Sequence, residues 1–260
     1  RSLPVEEAVD LSLRAHGWLK ARGAGHILFK ICSTFDSTDE GNIGPVTEAL
    51  KAVSGVDVVP VSPAFPETGR MVFMGHLFVN GVPLNESPLK DHPLNPMTDA
   101  DLVRVLGRQS WQKVGRVDLP VVAQGPQAVR EELAALAGGG CGSAIIDAVF
   151  ERDLEVMGEV ALPLGLSTGA SGLGLGLARA LLATGQVAPR GADVSDLLEG
   201  VRGPAAIVAG SCSAATLEQV AVAEGLMPVR HLSAERIVLS GGDEVADALA
   251  WARAHLENGP

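Results

Sequence analysis

The chain has 260 residues, 47% hydrophobic and 3% aromatic, with 31 glycines, 16 prolines and no tyrosine. That length and apolar content can bury a real core in one large or two modest domains, which excludes a disordered tail; the glycines lack a three-residue period, which excludes collagen. A net charge of −11 and the scarcity of aromatic rings argue against nucleic acid and anionic membranes as partners. They leave an anionic small molecule open, because a pocket needs only a few local cations.

The chain opens at Arg1 into an amphipathic pattern from Pro4 to Arg22, which predicts a helix with Pro4 in its first turn and Gly23 as its stop. His26 to Ile31 reads as a short buried strand, and Pro45 begins a second helix before a strand over Asp57 to Val61. Asn80-Gly81 between apolar runs predicts a hairpin within Met71 to Leu84, followed by a proline-rich irregular loop. Thr98 with Asp101 resembles a capping box for a helix through Arg108, and Lys113 to Asp118 reads as a strand. Helix Pro126 to Ala137, strand Ser143 to Ala148, helix Asp153 to Val160 and a glycine-rich turn at 169–176 leading into a helix to Leu182 complete an α/β domain over residues 1–183. Residues 184–203 read as a linker with one short helix at 193–201. Residues 204–260 read as the start of a second α/β domain: strand Pro204 to Gly210, a helix from Ser211, strand Val229 to Leu232 and helix Asp243 to Leu256.

The three cysteines, Cys32, Cys141 and Cys212, are widely spaced without a CxxC pair or a histidine partner set, so neither a disulfide framework nor a metal site is expected. No apolar run reaches about 20 residues and the N-terminus lacks a signal-peptide profile, so the expected compartment is the cytoplasm. GxxxxGK[ST], HExxH, GxSxG and a strand-linked GxGxxG are all absent; the last disfavours a nicotinamide-dependent oxidoreductase.

Several polar groups follow strand ends, where open α/β sheets place their ligands. Lys30 lies near the carboxyl end of the first strand, and Ser33, Asp36 and Asn42 follow it; together they exceed what a turn needs and point to a polyol or hydroxy-acid pocket, although each alone fits a snorkelling or turn residue. Arg70, after the prolines of Pro63-Ala64-Phe65-Pro66, suits a bidentate hold on a carboxylate or phosphate, as against an ordinary surface arginine. His92 fits a catalytic or a loop-bonding role equally. Gly210, Ser211 and Ser213 form a glycine and hydroxyl cluster at a helix start that suits a phosphate, while Ser213 alone also fits a plain N-cap.

KICSTFDSTDEGNIGPV, PAFPETGR, GHLFVNGVPLNES, HPLNPMTDADL, STGASGLGLGLA and AGSCSAAT, in this order over nearly the whole chain, resemble the four-carbon acid sugar kinase family, most of all its 3-oxo-tetronate kinase branch. The resemblance implies a sugar-acid-binding domain followed by a nucleotide-binding domain, with ATP and Mg²⁺ phosphorylating the terminal 4-hydroxyl of a four-carbon sugar acid. The implied substrate residues are Lys30, Ser33, Asp36, Asn42, Arg70 and His92, with Lys30 and Asp36 also in catalysis. The implied nucleotide residues are Gly210, Ser211 and Ser213. A D-threonate or D-erythronate kinase and a non-catalytic acid-binding fragment stand as alternatives, and a homodimer is among the expected assemblies. The family's DDxTGA and GGETSG segments are missing here, so the chain is expected to be truncated at both ends.

Overall fold

A computed structural model describes residues 3–35, 38–91, 95–189, 203–240 and 242–256. The chain divides into two compact units, residues 1–189 and 190–260.

The first unit begins with α1 (Val5–Lys20), β1 (Ile27–Lys30), α2 (Ile43–Ser54) and β2 (Val59–Ser62). There follow the hairpin strands β3 (Arg70–Phe73), β4 (His76–Val79) and β5 (Val82–Pro83), then α3 (Leu102–Gln109) and β6 (Lys113–Val117). The unit closes with α4 (Leu119–Val122), α5 (Pro126–Gly138), β7 (Cys141–Ile146), α6 (Glu151–Ala161), β8 (Leu166–Gly169) and α7 (Ser171–Ala183). Five strands form a parallel sheet in the order β1-β8-β2-β7-β6, and β3-β4-β5 form a separate antiparallel sheet. The crossovers β1 to β2 and β2 to β6 run one way across the large sheet, while β6 to β7 to β8 run back. Right-handed crossovers therefore put α2 and α3 on one face and α5 and α6 on the other. The packing agrees: α1, α2 and α3 touch in series, as do α4 to α7.

The predicted α/β architecture is present, with instructive differences. The first strand is an edge strand in which only Ile27 is buried. β8, which joins β1 to β2, escaped the sequence reading because its Leu-Ser-Thr-Gly stretch has no apolar pattern. Ser167 and Thr168 are nonetheless fully buried, and each has a partner: Ser167 Oγ lies 2.9 Å from His26 Nε2 and Thr168 Oγ1 3.0 Å from Thr47 Oγ1. Buried hydroxyls are tolerated in a strand once they are hydrogen-bonded.

The glycine run at 169–176 is mostly helix rather than turn, since α7 starts at Ser171. Its glycines let backbones meet: a Cβ at Gly172 would overlap the Ala64 carbonyl oxygen, and one at Gly176 would overlap the carbonyl oxygen of Leu154 on α6. The N-cap of α3 is Asp101, which accepts from Arg104 N at 3.1 Å, not Thr98. The hairpin prediction meets a three-stranded sheet, because a second turn at Met74-Gly75 adopts positive φ like Asn80-Gly81.

Asp147, immediately after β7 and fully buried, joins the two sheets. Its carboxylate accepts from the Met74, Gly75 and Leu119 N–H groups at 2.7, 2.9 and 2.9 Å. Beside it, Val72 N and Ala148 N each donate to the other residue's carbonyl, at 2.9 and 3.0 Å, and pin β3 across the end of β7. Burial pushes the Asp147 carboxyl above its ordinary pKa, against the pull of the Gly75, Leu119 and Met74 N–H donors.

In the second unit, α8 (Ala214–Glu224), α9 (Ala234–Ser240) and α10 (Asp243–Leu256) are formed. The strands predicted at Pro204 to Gly210 and Val229 to Leu232 are absent from the described residues: both stretches are irregular, and Ile207 and Val208 are 80% and 92% exposed. An apolar run becomes a strand only when a neighbour takes up its backbone groups. Glu244, almost fully buried, accepts from Ser233 N at 3.3 Å and pairs with Arg236 at 2.8 Å. The helix predicted at 193–201 lies outside the described residues.

Candidate sugar-acid site

The carboxyl ends of β1, β8, β2 and β7 open on one edge of the sheet, and the polar loops are gathered there. Lys30 ends β1 and is exposed, its Nζ donating to the carbonyl of its neighbour Ile31 at 2.8 Å. Ser33 is half-buried in the turn that follows. Phe35 is buried with a φ of 56°, and its N–H donates to the Cys32 carbonyl at 3.0 Å. Asn42 is buried, precedes α2 and donates from Nδ2 to the Leu3 carbonyl at 3.4 Å. Lys30 and Asn42 share the lining of a cavity of about 200 Å³ with Cys32, Ser12 and apolar residues of α1 and α2.

Arg70 opens β3 beyond the end of β2 and does not line that cavity. The turn before it is tightly built. Gly69 has a φ of 72°, the Asn80 N–H donates to the Gly69 carbonyl at 2.7 Å, and Phe65 and Arg70 exchange backbone hydrogen bonds of 2.8 and 3.1 Å. One Arg70 terminal nitrogen donates to the Thr68 carbonyl, but Nε is buried with no acceptor among the described residues. A buried donor left unpaired costs about 1–3 kcal/mol, which a carboxylate would offset once the side chain turns to present that nitrogen.

Asp36 and His92 lie outside the described residues. The structure thus brings Lys30 and Asn42 to one cavity and sets Arg70 apart on the hairpin.

Sequence reading missed a charged cluster beside these loops. Asp99 accepts from Arg104 Nε at 2.7 Å and Nη2 at 2.6 Å, from both terminal nitrogens of Arg108 at 3.1 Å, and from the Asp101 N–H at 3.0 Å. Arg108 Nε also reaches Asp39 at 2.7 Å. Arginines four apart on α3 were the available signal; of their acceptors Asp99 lies just before the helix, but Asp39 is on another loop 69 residues from Arg108. The Arg104 hydrogen bonds above all hold the Asp99 carboxyl at about 2, below the ordinary carboxylate range. A depressed native pKa means stability that is complete above about pH 4 and is lost as the pH falls toward the native value. Thermal melts from pH 5 down to pH 2 are therefore expected to fall more steeply for the parent than for Asp99→Asn. Asp147, raised by burial, contributes in the opposite sense and equally in both proteins. Parallel curves would refute the assignment.

In the second unit, Ser213 Oγ accepts from Thr216 N at 3.2 Å and caps α8, and Ser211 Oγ accepts from Ser213 N at 3.2 Å; Gly210, Ser211 and Ser213 are all exposed. The Ser213 hydroxyl and N–H and the Ser211 hydroxyl are thus engaged within the segment, and a phosphate held by Gly210, Ser211 and Ser213 would take over those contacts.

An α/β/α sandwich with an inserted hairpin and polar loops at the carboxyl edge of its sheet has the architecture of many small-molecule-binding domains, and comparison with known proteins specifies which kind. The family described as the sugar-binding N-terminal domain matches residues 1–177, and the chain belongs to it. A 3-oxo-tetronate kinase of Methylobacterium radiotolerans is 59% identical over 260 residues, covering 100% of this chain and 61% of the relative. The crystal structure of a Salmonella typhimurium LT2 protein matches with a TM-score of 0.78 at 40% identity, over 97% of this chain and 58% of that one. Protein HI1011 of Haemophilus influenzae matches with a TM-score of 0.73 at 38% identity, over 98% and 60%. The chain thus spans about three fifths of the proteins it matches.

Proposed function

We propose that the first unit binds a four-carbon sugar acid and that the protein is an ATP-dependent kinase of the 4-hydroxyl, with 3-oxo-tetronate as substrate. The observation that carries the substrate half is the buried, unpaired Nε of Arg70 at the carboxyl edge of the sheet. A planar guanidinium held at one nitrogen and unpaired at another matches a carboxylate. The similarity to 3-oxo-tetronate kinases along the whole chain supports the phosphoryl-transfer half.

In this reading Arg70 takes the acid's carboxylate, and Lys30 takes either that carboxylate or the charge on the transferring phosphoryl group. Ser33, Asn42 and His92 meet the hydroxyls, and Asp36 orients the attacking one. Phosphoryl transfer asks for this positioning and charge neutralisation rather than covalent work by the protein. Gly210, Ser211 and Ser213 are proposed for the ATP phosphates. Among the described residues no cluster of three or more His, Cys, Asp or Glu side chains is set to hold a metal. Mg²⁺ is proposed as a companion of ATP, with no ligand assigned here. Among the described residues no helix is long and apolar enough to cross a membrane, and a cytoplasmic homodimer belongs to the same proposal.

The test titrates 3-oxo-tetronate, D-threonate and D-erythronate calorimetrically and then follows phosphate-ester formation with ATP and Mg²⁺. Saturable binding with preference for 3-oxo-tetronate, and its conversion to a 4-phosphate, is expected. Binding of none of the three acids would overturn the sugar-acid reading; binding without turnover would overturn the kinase reading for this chain.

A further inference from the structure

Helix α3 lies between two of the segments assigned to the sugar acid, and both of its ends are tied down. At its start, the Leu102 N–H donates to the Gly75 carbonyl at 2.9 Å, and the Leu77 N–H donates to Ala100 at 3.0 Å, which fastens it to the hairpin that begins at Arg70. At its finish, the amide of Gln109 is used on both sides. Oε1 accepts from the Gly44 N–H at 3.0 Å and Nε2 donates to the Thr38 carbonyl at 2.6 Å. The preceding residue, Arg108, reaches Asp39 in the same span.

Gln109 is only 6% exposed, so its amide needs partners within the protein. These two bonds fix both ends of the stretch 38–44, which contains Asn42 and enters α2. The contact is close on the backbone side as well: a Cβ at Gly44 would come within 2.7 Å of the Gln109 carbonyl oxygen and Cβ. One turn further along α2, the Glu48 carboxylate accepts from the N–H groups of Trp111 and Gln112 at 2.8 and 2.9 Å. The start of α2 therefore cannot drift from the end of α3.

We propose that Gln109 is a positioning residue for the sugar-acid site, its amide fixing the 38–44 span that presents Asn42 while α3 ties that span to the Arg70 hairpin. The proposal rests on the sugar-acid reading for the identity of the ligand, and on the geometry alone for the fixing of the span. A site built from two loops loses affinity when one loop must be ordered on binding, which is the cost that such a clamp removes.

Two variants separate the bonds. Gln109→Leu removes both, whereas Gln109→Glu keeps the acceptor for Gly44 and loses the donor to Thr38, so it serves if the leucine variant folds poorly. Two measurements are made on each: amide hydrogen exchange of the 38–44 stretch, and calorimetric titration with 3-oxo-tetronate in the parent and in an Asn42→Ala background. Faster exchange in 38–44 and binding weakened by about tenfold are expected, with the affinity loss largely abolished once Asn42 is alanine. A merely structural role would weaken binding equally in both backgrounds, and that result would overturn the proposal. Unchanged exchange in 38–44 would overturn it whatever the affinities. A parent that binds no tetronate would refute the sugar-acid reading instead, and the exchange measurement would still decide whether Gln109 fixes the span.

Discussion

Gly176→Val is expected to lower the melting temperature of the first unit by about 10 °C or to prevent its folding, because α6 and α7 meet backbone to backbone at this residue. A Cβ at Gly176 would overlap the Leu154 carbonyl oxygen, and one at Gly158, its counterpart on α6, would overlap the Gly176 carbonyl oxygen. Backbone cannot rotate aside as a side chain does, so the helices must separate and expose the contacts between them, at a cost of about 3 kcal/mol or more. Gly174→Ala is the control. Its Cβ would meet only Leu28 Cδ2 at 3.5 Å, an ordinary contact, so the better helix former should leave stability unchanged or raise it by up to about 1 kcal/mol. Thermal melts followed by circular dichroism decide the matter, and a valine variant melting within about 2 °C of the parent would refute the close crossing.

Arg70→Ala is expected to weaken 3-oxo-tetronate binding by about 30-fold or more, corresponding to at least about 2 kcal/mol for a carboxylate deprived of its guanidinium. The melting temperature should change little, since the alanine removes a buried Nε that has no acceptor and leaves the Phe65 and Arg70 backbone bonds in place. Arg70→Lys should restore only part of the affinity, because an ammonium cannot offer the planar fork. Calorimetric titration distinguishes the three proteins. Equal affinities for the parent and the alanine variant would remove Arg70 from the site.

Much of the α/β order was legible because it depends on local chemistry. Apolar periodicity located α1, α5 and α6, and Asn80-Gly81 announced its turn because those residues accept positive φ readily. Met74-Gly75 adopts the same kind of turn without announcing it, because the acceptor for its N–H groups is Asp147, 73 positions along the chain from Met74. Among candidate site residues, Lys30, Asn42 and Arg70 could be picked out as polar groups after strands. That Lys30 and Asn42 share a cavity while Arg70 does not could not, since it depends on β8 lying between β1 and β2.

The sequence by itself determined most of the helix and strand order of the first unit, the hairpin, the family resemblance and the residue types available for an anionic polyol, because propensity, turn chemistry and motif order are properties of neighbouring residues. Tertiary structure alone decided that Leu166–Gly169 is an interior strand, that the glycines of α7 serve a helix crossing, and that Gln109 and Asp99 belong to the scaffold around the loops. The physical reason is common to all of these. A buried hydroxyl, amide or carboxylate, like a missing side chain, is stable only through partners that arrive from elsewhere in the chain, and no local pattern records who those partners are.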